Sequence, residues 1–140
     1  MTEKYKIMSE FVKDMSSETP DIKTYLFVKD NIQNYHLNIE ITSTALKDKI
    51  VEINTSLKLH DQEANEKRAN FEIIYTTIIK LEKEISDKKE LQKILLCDVQ
   101  NEIYPNLDNA FKTLLDISGY KNVKFDKKID FDKLYKEQFN

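Results

Sequence analysis

The hydrophobic period of this chain changes near residue 83, and that change limits the folds open to it. Before residue 83 apolar and polar residues alternate, and after it apolar residues recur every three or four positions. Alternation is typical of a strand with one buried face, whereas the longer spacing is typical of an amphipathic helix. The order predicts an α+β domain in which a sheet comes first and helices follow.

The alternating half predicts four strands, at about residues 5–16, 35–43, 49–60 and 69–82. The stretch between the first two strands, 17–34, is too long for a hairpin turn, so it predicts a crossover connection. The later strands are joined by short polar segments and should pair as antiparallel neighbours. The expected sheet is therefore four-stranded and antiparallel, with a long crossover after strand one.

The second half predicts a long helix that begins after Ser86, a plausible N-cap. Pro105 lies inside this helix and lacks a backbone donor, so we expect a kink or break around 101–104. Gly119, the only glycine in the chain, stands where the helical pattern stops and is a natural left-handed cap. Asp130 can cap a short C-terminal helix.

One side of the long helix carries an apolar stripe that predicts self-association. A single four-stranded sheet cannot cover both sides of such a helix, so a second copy is expected to help bury it. The residues of this stripe are Val99, Ile103, Leu107, Phe111, Leu114 and Leu115.

Length and composition indicate one domain over residues 1–140 and disfavour several functions. The net charge of −3 argues against a nucleic-acid partner, and no apolar run approaches a membrane span, so a cytoplasmic protein without membrane insertion is expected. Cys97 stands alone in an apolar run, which favours a packed thiol, and His36 and His60 have no partners at metal-ligand spacing. No cofactor, metal site or catalytic group is predicted, and an enzyme is disfavoured.

Several motifs resemble the SecB protein-export chaperone family in their order and spacing. They are VKDMSSETP at 12–20, FVKD at 27–30, the alternating run 37–59, YPNL at 104–107 and IDFDKLY at 129–135. Together they extend over nearly the whole chain.

The resemblance implies a cytosolic homotetramer, a dimer of dimers in which helices lie between sheets. It implies a chaperone that hydrolyses no nucleotide, holds unfolded clients in long apolar grooves and delivers export precursors to the SecA motor. Asp14, Glu18 and Glu72 match acidic positions with which that family contacts the motor. Acidic residues on strand faces also serve solubility, and the sequence leaves both interpretations open.

Aromatic and apolar residues of the crossover and the helices are candidates for the client groove. Large apolar side chains in loops more often cover a core, so each has a purely structural alternative. The candidates are Tyr25, Phe27, Ile32, Tyr35, Tyr104, Tyr120, Phe125, Phe131 and Tyr135.

The chain departs from the family pattern at several positions. Residues 75–77 replace a glycine-containing bend, Asp108 replaces an arginine, and Asn31 stands where a tryptophan is common. A SecB-like chaperone dedicated to one client, such as the antitoxin of a toxin-antitoxin system, is therefore an alternative to a general export chaperone. A third is an oligomeric adaptor domain that holds no unfolded protein.

Overall fold

The computed structural model describes residues 4–60, 69–121, 123 and 129–139. The strands are β1 (Tyr5–Glu18), β2 (His36–Ala45), β3 (Ile50–His60) and β4 (Asn70–Leu81). The helices are α1 (Ile22–Asn31), α2 (Lys88–Lys93), α3 (Val99–Ile117) and α4 (Phe131–Phe139). A π-helical turn at Ile94–Asp98 joins α2 and α3 into one long helix, and a 3₁₀ turn at Ile32–Asn34 follows α1.

The four strands form one antiparallel sheet in the order β1-β4-β3-β2, so β1 and β2 are its edges. This confirms the predicted four-stranded sheet with a crossover after strand one and helices after strand four. The register pairs Leu57 with Ile73, and both side chains lie on the buried inner face of the sheet. Because strand residues alternate between faces, their neighbours Lys58 and Glu72 pair on the opposite, outer face.

The crossover is more ordered than its sequence indicates. The sequence predicts a crossover connection without assigning a helix to it, but α1 occupies most of this stretch. The Asp21 carboxylate caps the helix by accepting a hydrogen bond from the Thr24 N–H at 2.7 Å. That bond lowers the pKa of Asp21. The helix presents only a weak apolar face, because Val28 is its one buried residue, and this explains why periodicity did not reveal it.

The long helix begins one residue later than expected, because the cap is Asp87 and not Ser86. The Asp87 side chain accepts a hydrogen bond from the Lys89 N–H at 3.0 Å. Pro105 lies inside α3, which continues through it to Ile117. The departure from regular α-helical bonding is found upstream, in the π turn at Ile94–Asp98.

The predicted cap at Gly119 is confirmed by its φ of +98°, a conformation that side chains with a Cβ disfavour. A Cβ at this position would also stand 2.9 Å from Cε1 of Tyr25. The Tyr25 hydroxyl donates to the Gly119 carbonyl at 3.0 Å. This contact holds the crossover helix against the C-terminal end of α3.

The core lies between the inner face of the sheet and the long helix. All six residues of the helical stripe are buried within the single chain, so no second copy is needed to cover them. At the centre of this interface the Thr55 hydroxyl donates to Oε1 of Gln100 at 2.9 Å. Gln100 Nε2 in turn donates to the Leu95 carbonyl at 3.2 Å, which satisfies a group of the π turn.

Candidate functional site

The least covered part of the inner face lies along the edge strand β2. Leu37, Ile39 and Ile41 point to the inner face but are only half-buried, whereas their partners on β3 are buried. Since β2 is the last strand on its side, the long helix, which packs on the strands further in, leaves its apolar face partly open. An apolar face left open in this way can receive another chain.

This open face is bordered by helix α4 and by the π-helical turn, and together they form a groove that we call the β2 groove. Its volume is about 470 Å³. It is lined by Ile39, Glu40, Ile41, Thr42, Leu96, Leu134 and Tyr135. Four of the lining side chains are aliphatic and one is charged, so the groove can receive apolar side chains of another segment.

Three contacts position α4 as the far wall of the groove. The Asp130 carboxylate caps the helix by accepting from the Lys133 N–H at 3.1 Å, as the sequence predicted. Phe131 is buried and packs edge-on against Tyr104, with ring centroids 5.5 Å apart. The Tyr135 hydroxyl donates to the Lys89 carbonyl at 3.2 Å, which fixes the ring at the groove.

A fourth contact joins α4 to the π turn through the single cysteine. The Cys97 thiol donates to a carboxylate oxygen of Asp132, and the sulfur also accepts from Asn101 Nδ2 at 3.7 Å. Burial, followed by the charge and hydrogen bond of Asp132, raises the pKa of the thiol to about 12. Cys97 is only 3% exposed, which confirms the prediction of a packed thiol.

The structure distributes the client-groove candidates over several environments. Tyr135 lines the β2 groove, whereas Tyr25 contacts Gly119 and Phe27 lies on the exposed side of α1. Phe125 lies outside the described residues. The remaining candidates pack within the chain and are Ile32, Tyr35, Tyr104, Tyr120 and Phe131.

Six groove residues were not singled out from the sequence as candidates for this role: Ile39, Ile41, Leu96, Leu134 and the polar Glu40 and Thr42. The strand pattern identified an apolar face for the first two, and helical spacing did the same for Leu134. The sequence pattern does not give the order of strands in the sheet. That order decides the site, because only a strand at the edge leaves its apolar face open.

The acidic candidates lie together on the outer face of the sheet, across β1 and β4. Glu72 pairs with Ser16, so Asp14 and Glu18 flank it on the neighbouring strand at alternate positions. Asp14 and Glu18 are exposed and Glu72 is partly exposed. Lys58 pairs with Glu72 from the other side and tempers the negative charge there. This acidic face and the β2 groove are on opposite faces of the sheet.

The outer face also carries apolar surface next to these carboxylates. Phe11 pairs with Thr76 and is 46% exposed, while Ile74 and Ile78 on β4 are partly exposed on the same face. A β-bulge leaves Met8 without a pairing partner, with 53% of its surface exposed.

Within the described part of the chain, no helix is both long and apolar enough to cross a membrane. The same residues contain no group of three or more side chains of the types His, Cys, Asp and Glu that could hold a metal ion.

Comparison with known proteins gives consistent results for sequence and fold. Residues 1–140 match the family model described as "Preprotein translocase subunit SecB". A protein of Pelagibacter ubique, named a putative protein-export protein SecB, is 56% identical over the full length of both chains. A solved structure of a SecB-like chaperone from Mycobacterium tuberculosis, in complex with a ChAD peptide from an antitoxin, aligns with a TM-score of 0.67.

That alignment covers 90% of this chain and 88% of the other at 11% sequence identity, so it supports the fold alone. The match of the family model to the whole chain and the 56% identity support the family itself. The chain belongs to the SecB family of protein-export chaperones.

Proposed function

We propose that this protein is an ATP-independent chaperone of the cytoplasm that holds non-native polypeptides in the β2 groove. The observation that carries the proposal is the open apolar face of β2, walled by Leu96 and Leu134 and lined by few charges. A receptor for unfolded chains must accept many sequences, and wide apolar surfaces with adaptable contacts provide this. Of the aromatic residues that the sequence suggested for the client groove, Tyr135 is the one that lines the β2 groove.

The holding activity can be tested with reduced, unfolded α-lactalbumin, whose aggregation is followed by light scattering. Replacing Ile41 and Leu134 together by serine should abolish most of the protection, because both side chains line the groove. Leu46→Ser is the matched control, since Leu46 is also exposed but lies outside the groove. If the wild-type protein gave no protection, the proposal would fail. Equal protection by the groove variant would place the client elsewhere.

We further propose that the held polypeptides are export precursors and that the outer acidic face docks the SecA motor. The full-length relative named a protein-export protein favours this role. Carboxylates on a rigid sheet meet basic groups of a partner with little ordering cost, and they chiefly determine orientation and association rate. Because the acidic face and the groove lie on opposite faces of the sheet, one protomer could bind motor and client together.

Charge reversal separates motor docking from client holding. Asp14→Lys combined with Glu72→Lys should weaken SecA binding, measured by calorimetry, by about tenfold or more. Protection of α-lactalbumin should stay unchanged. Asp116→Lys, which reverses an exposed carboxylate on α3, is the control and should affect neither. Equal loss of both activities in the double variant would mean that the substitutions disturb the fold.

A second candidate is a chaperone dedicated to one client such as an antitoxin. This second candidate is retained because a solved SecB-like chaperone of similar fold is in complex with an antitoxin peptide. The 11% sequence identity between the two chains supports a shared fold only. Holding activity without SecA binding would select this function over export. An oligomeric adaptor that holds no client would show neither activity.

A further inference from the structure

The two edges of the sheet differ in how well they are protected against pairing with another strand. On β1, register shifts between Ile7 and Ser9 and between Val12 and Asp14 interrupt the ladder, and Lys6 and Lys13 add charge. Bulges and lysines are the usual means by which proteins keep an edge strand from recruiting further strands. The strand β2 has neither, nor does it contain proline, and its pairing with β3 is continuous over ten residue pairs.

The backbone groups on the free side of β2 can be identified from the hairpin that closes β2 and β3. The Leu46 N–H donates to the Ile50 carbonyl at 2.7 Å, so these residues form a hydrogen-bonded pair at the turn. Antiparallel pairs alternate between hydrogen-bonded and non-hydrogen-bonded. With the unbroken register, Asn38, Glu40 and Thr42 direct their backbone groups toward β3.

It follows that the intervening residues direct their N–H and C=O groups away from the sheet. They are Leu37, Ile39, Ile41 and Ser43. Among the described residues, no backbone hydrogen bond reaches these groups from outside the β2–β3 ladder. Two of them, Ile39 and Ile41, also line the β2 groove with their side chains. The outward backbone groups and the open apolar side chains therefore belong to the same residues.

We propose that an extended segment of a non-native polypeptide adds to β2 as an antiparallel fifth strand. Strand addition supplies backbone hydrogen bonds that are the same for every sequence, and alternate side chains supply selectivity. In an antiparallel ladder the residues that exchange hydrogen bonds with Ile39 and Ile41 also lie on their face of the sheet. The bound segment would thus place its apolar residues against Leu96, Leu134 and Tyr135, and these same residues would make the backbone bonds.

This inference rests on the proposed holding function, and it makes a prediction that apolar contact alone does not make. The probe is a fluorescein-labelled peptide of about eight residues in which valine alternates with threonine, long enough to follow β2 across the groove at about 3.4 Å per residue. Lysines at its ends keep it soluble. N-methylation of the valines should weaken binding at least about tenfold, because it removes the amide donors that face β2. N-methylation of the threonines should change the affinity less than about threefold, because their amides face solvent.

Four results would overturn the inference. Equal affinity of the parent and both methylated peptides would mean that side chains alone are recognised, and equal weakening of both would mean a steric effect. Weakening by the threonine methyl groups only would exclude the antiparallel arrangement. Failure of the parent peptide to bind while α-lactalbumin is still protected would also count against strand addition. Failure of both peptide binding and protection would instead remove the proposed function itself.

Amide hydrogen exchange measured by NMR provides a readout without substitutions. In the free protein the amides of Ile39, Ile41 and Ser43 should exchange rapidly, while those of Glu40 and Thr42 are protected. The parent peptide should protect the first set and leave the second set unchanged. If the first set were already protected in the free protein, the edge would be occupied by a second copy or by another part of the chain, and the proposal would be wrong.

A variant of the protein gives the complementary test. Ser43→Pro removes one outward N–H without removing an apolar side chain, and proline is tolerated on the open side of an edge strand. It should weaken the parent peptide by about threefold or more, whereas Ser43→Ala should bind like wild type. Circular dichroism of both variants would show whether the proline preserves the fold. If the well-folded Ser43→Pro variant bound as tightly as Ser43→Ala, no hydrogen bond forms at this amide and the proposed register is wrong.

Discussion

At the scale of single residues, a few polar groups in apolar surroundings organise the core. Thr55 and Gln100 are both fully buried, and their hydrogen bond joins β3 to the long helix. Glu10 does the same at the other edge, where its carboxylate accepts from the Tyr75 hydroxyl at 2.8 Å and from Asn106 Nδ2 at 3.0 Å. Burial, together with the Glu10 carboxylate, raises the pKa of Tyr75 to about 12.

Removal of the Thr55 hydroxyl should lower the stability of the protein more than the loss of so small a group suggests. In Thr55→Val the Gln100 carbonyl loses its donor in a buried site, so the free energy of unfolding should fall by about 1–3 kcal/mol. Urea denaturation measures this directly. Thr44→Val, on the exposed face of β2, is the control and should stay within about 0.5 kcal/mol of wild type. An equally small effect at Thr55 would mean that Gln100 finds another donor.

The pKa of Cys97 predicts how stability depends on pH. Its folded value of about 12 lies above the ordinary 9.0, so the folded state keeps a proton that the unfolded state loses. This contribution is complete below about pH 9 and declines as the pH rises toward about 12. Between about pH 8 and pH 10.5 the free energy of unfolding should therefore fall less in Cys97→Ala than in wild type. Tyr75 and Tyr104, whose pKa values are also raised to about 12, contribute equally to both proteins. Identical pH dependence of the two proteins would contradict the assignment.

At the scale of elements, the long helix combines regular segments with a π turn that serves the groove. The turn at Ile94–Asp98 places Leu96 at the β2 groove and Cys97 against Asp132 of α4. π-Helical turns inside α-helices occur frequently at functional sites. Periodicity could predict the helix but not this turn, since one extra residue per turn leaves the apolar spacing nearly unchanged over so short a segment.

The start of the long helix offers a direct test of its cap. Asp87→Ala should lower the free energy of unfolding by about 1 kcal/mol, because the Lys89 N–H loses its acceptor. Ser86→Ala should have little effect, although the sequence suggested Ser86 as the cap. Thermal or urea denaturation of the two variants decides between them. A larger effect at Ser86 would restore the original assignment.

At the scale of the whole molecule, apolar surface on β1 points to self-association. Val12 and Met15 lie on the inner side of this edge strand and are 41% and 45% exposed. The helical stripe that suggested an oligomer is already buried within the chain, so a second copy would contact other residues. The sequence predicts a second copy from the helical stripe, whereas in the tertiary structure the exposed apolar residues of β1 are the reason to expect one.

We expect the protein to sediment as an oligomer at micromolar concentration, as the family resemblance implies. Val12→Glu combined with Met15→Glu should shift it toward monomer, because charge would be buried at the interface. Leu46→Glu is the control, since Leu46 is 49% exposed but lies on the β2–β3 turn. A wild-type monomer would exclude the tetramer. Unchanged sedimentation of the double variant would place the interface elsewhere.

The sequence by itself determined the class of fold, the number of strands, the two helix caps at Gly119 and Asp130, and the family. These depend on local properties, namely hydrophobic period, backbone conformation and motif order, which act over a few neighbouring residues. Tertiary structure alone decided that β2 is an edge, that α4 stands beside it and that the helical stripe is covered. Those features depend on strand order and packing between distant residues, such as Tyr135 and Ile41, and local patterns do not encode which apolar face remains open.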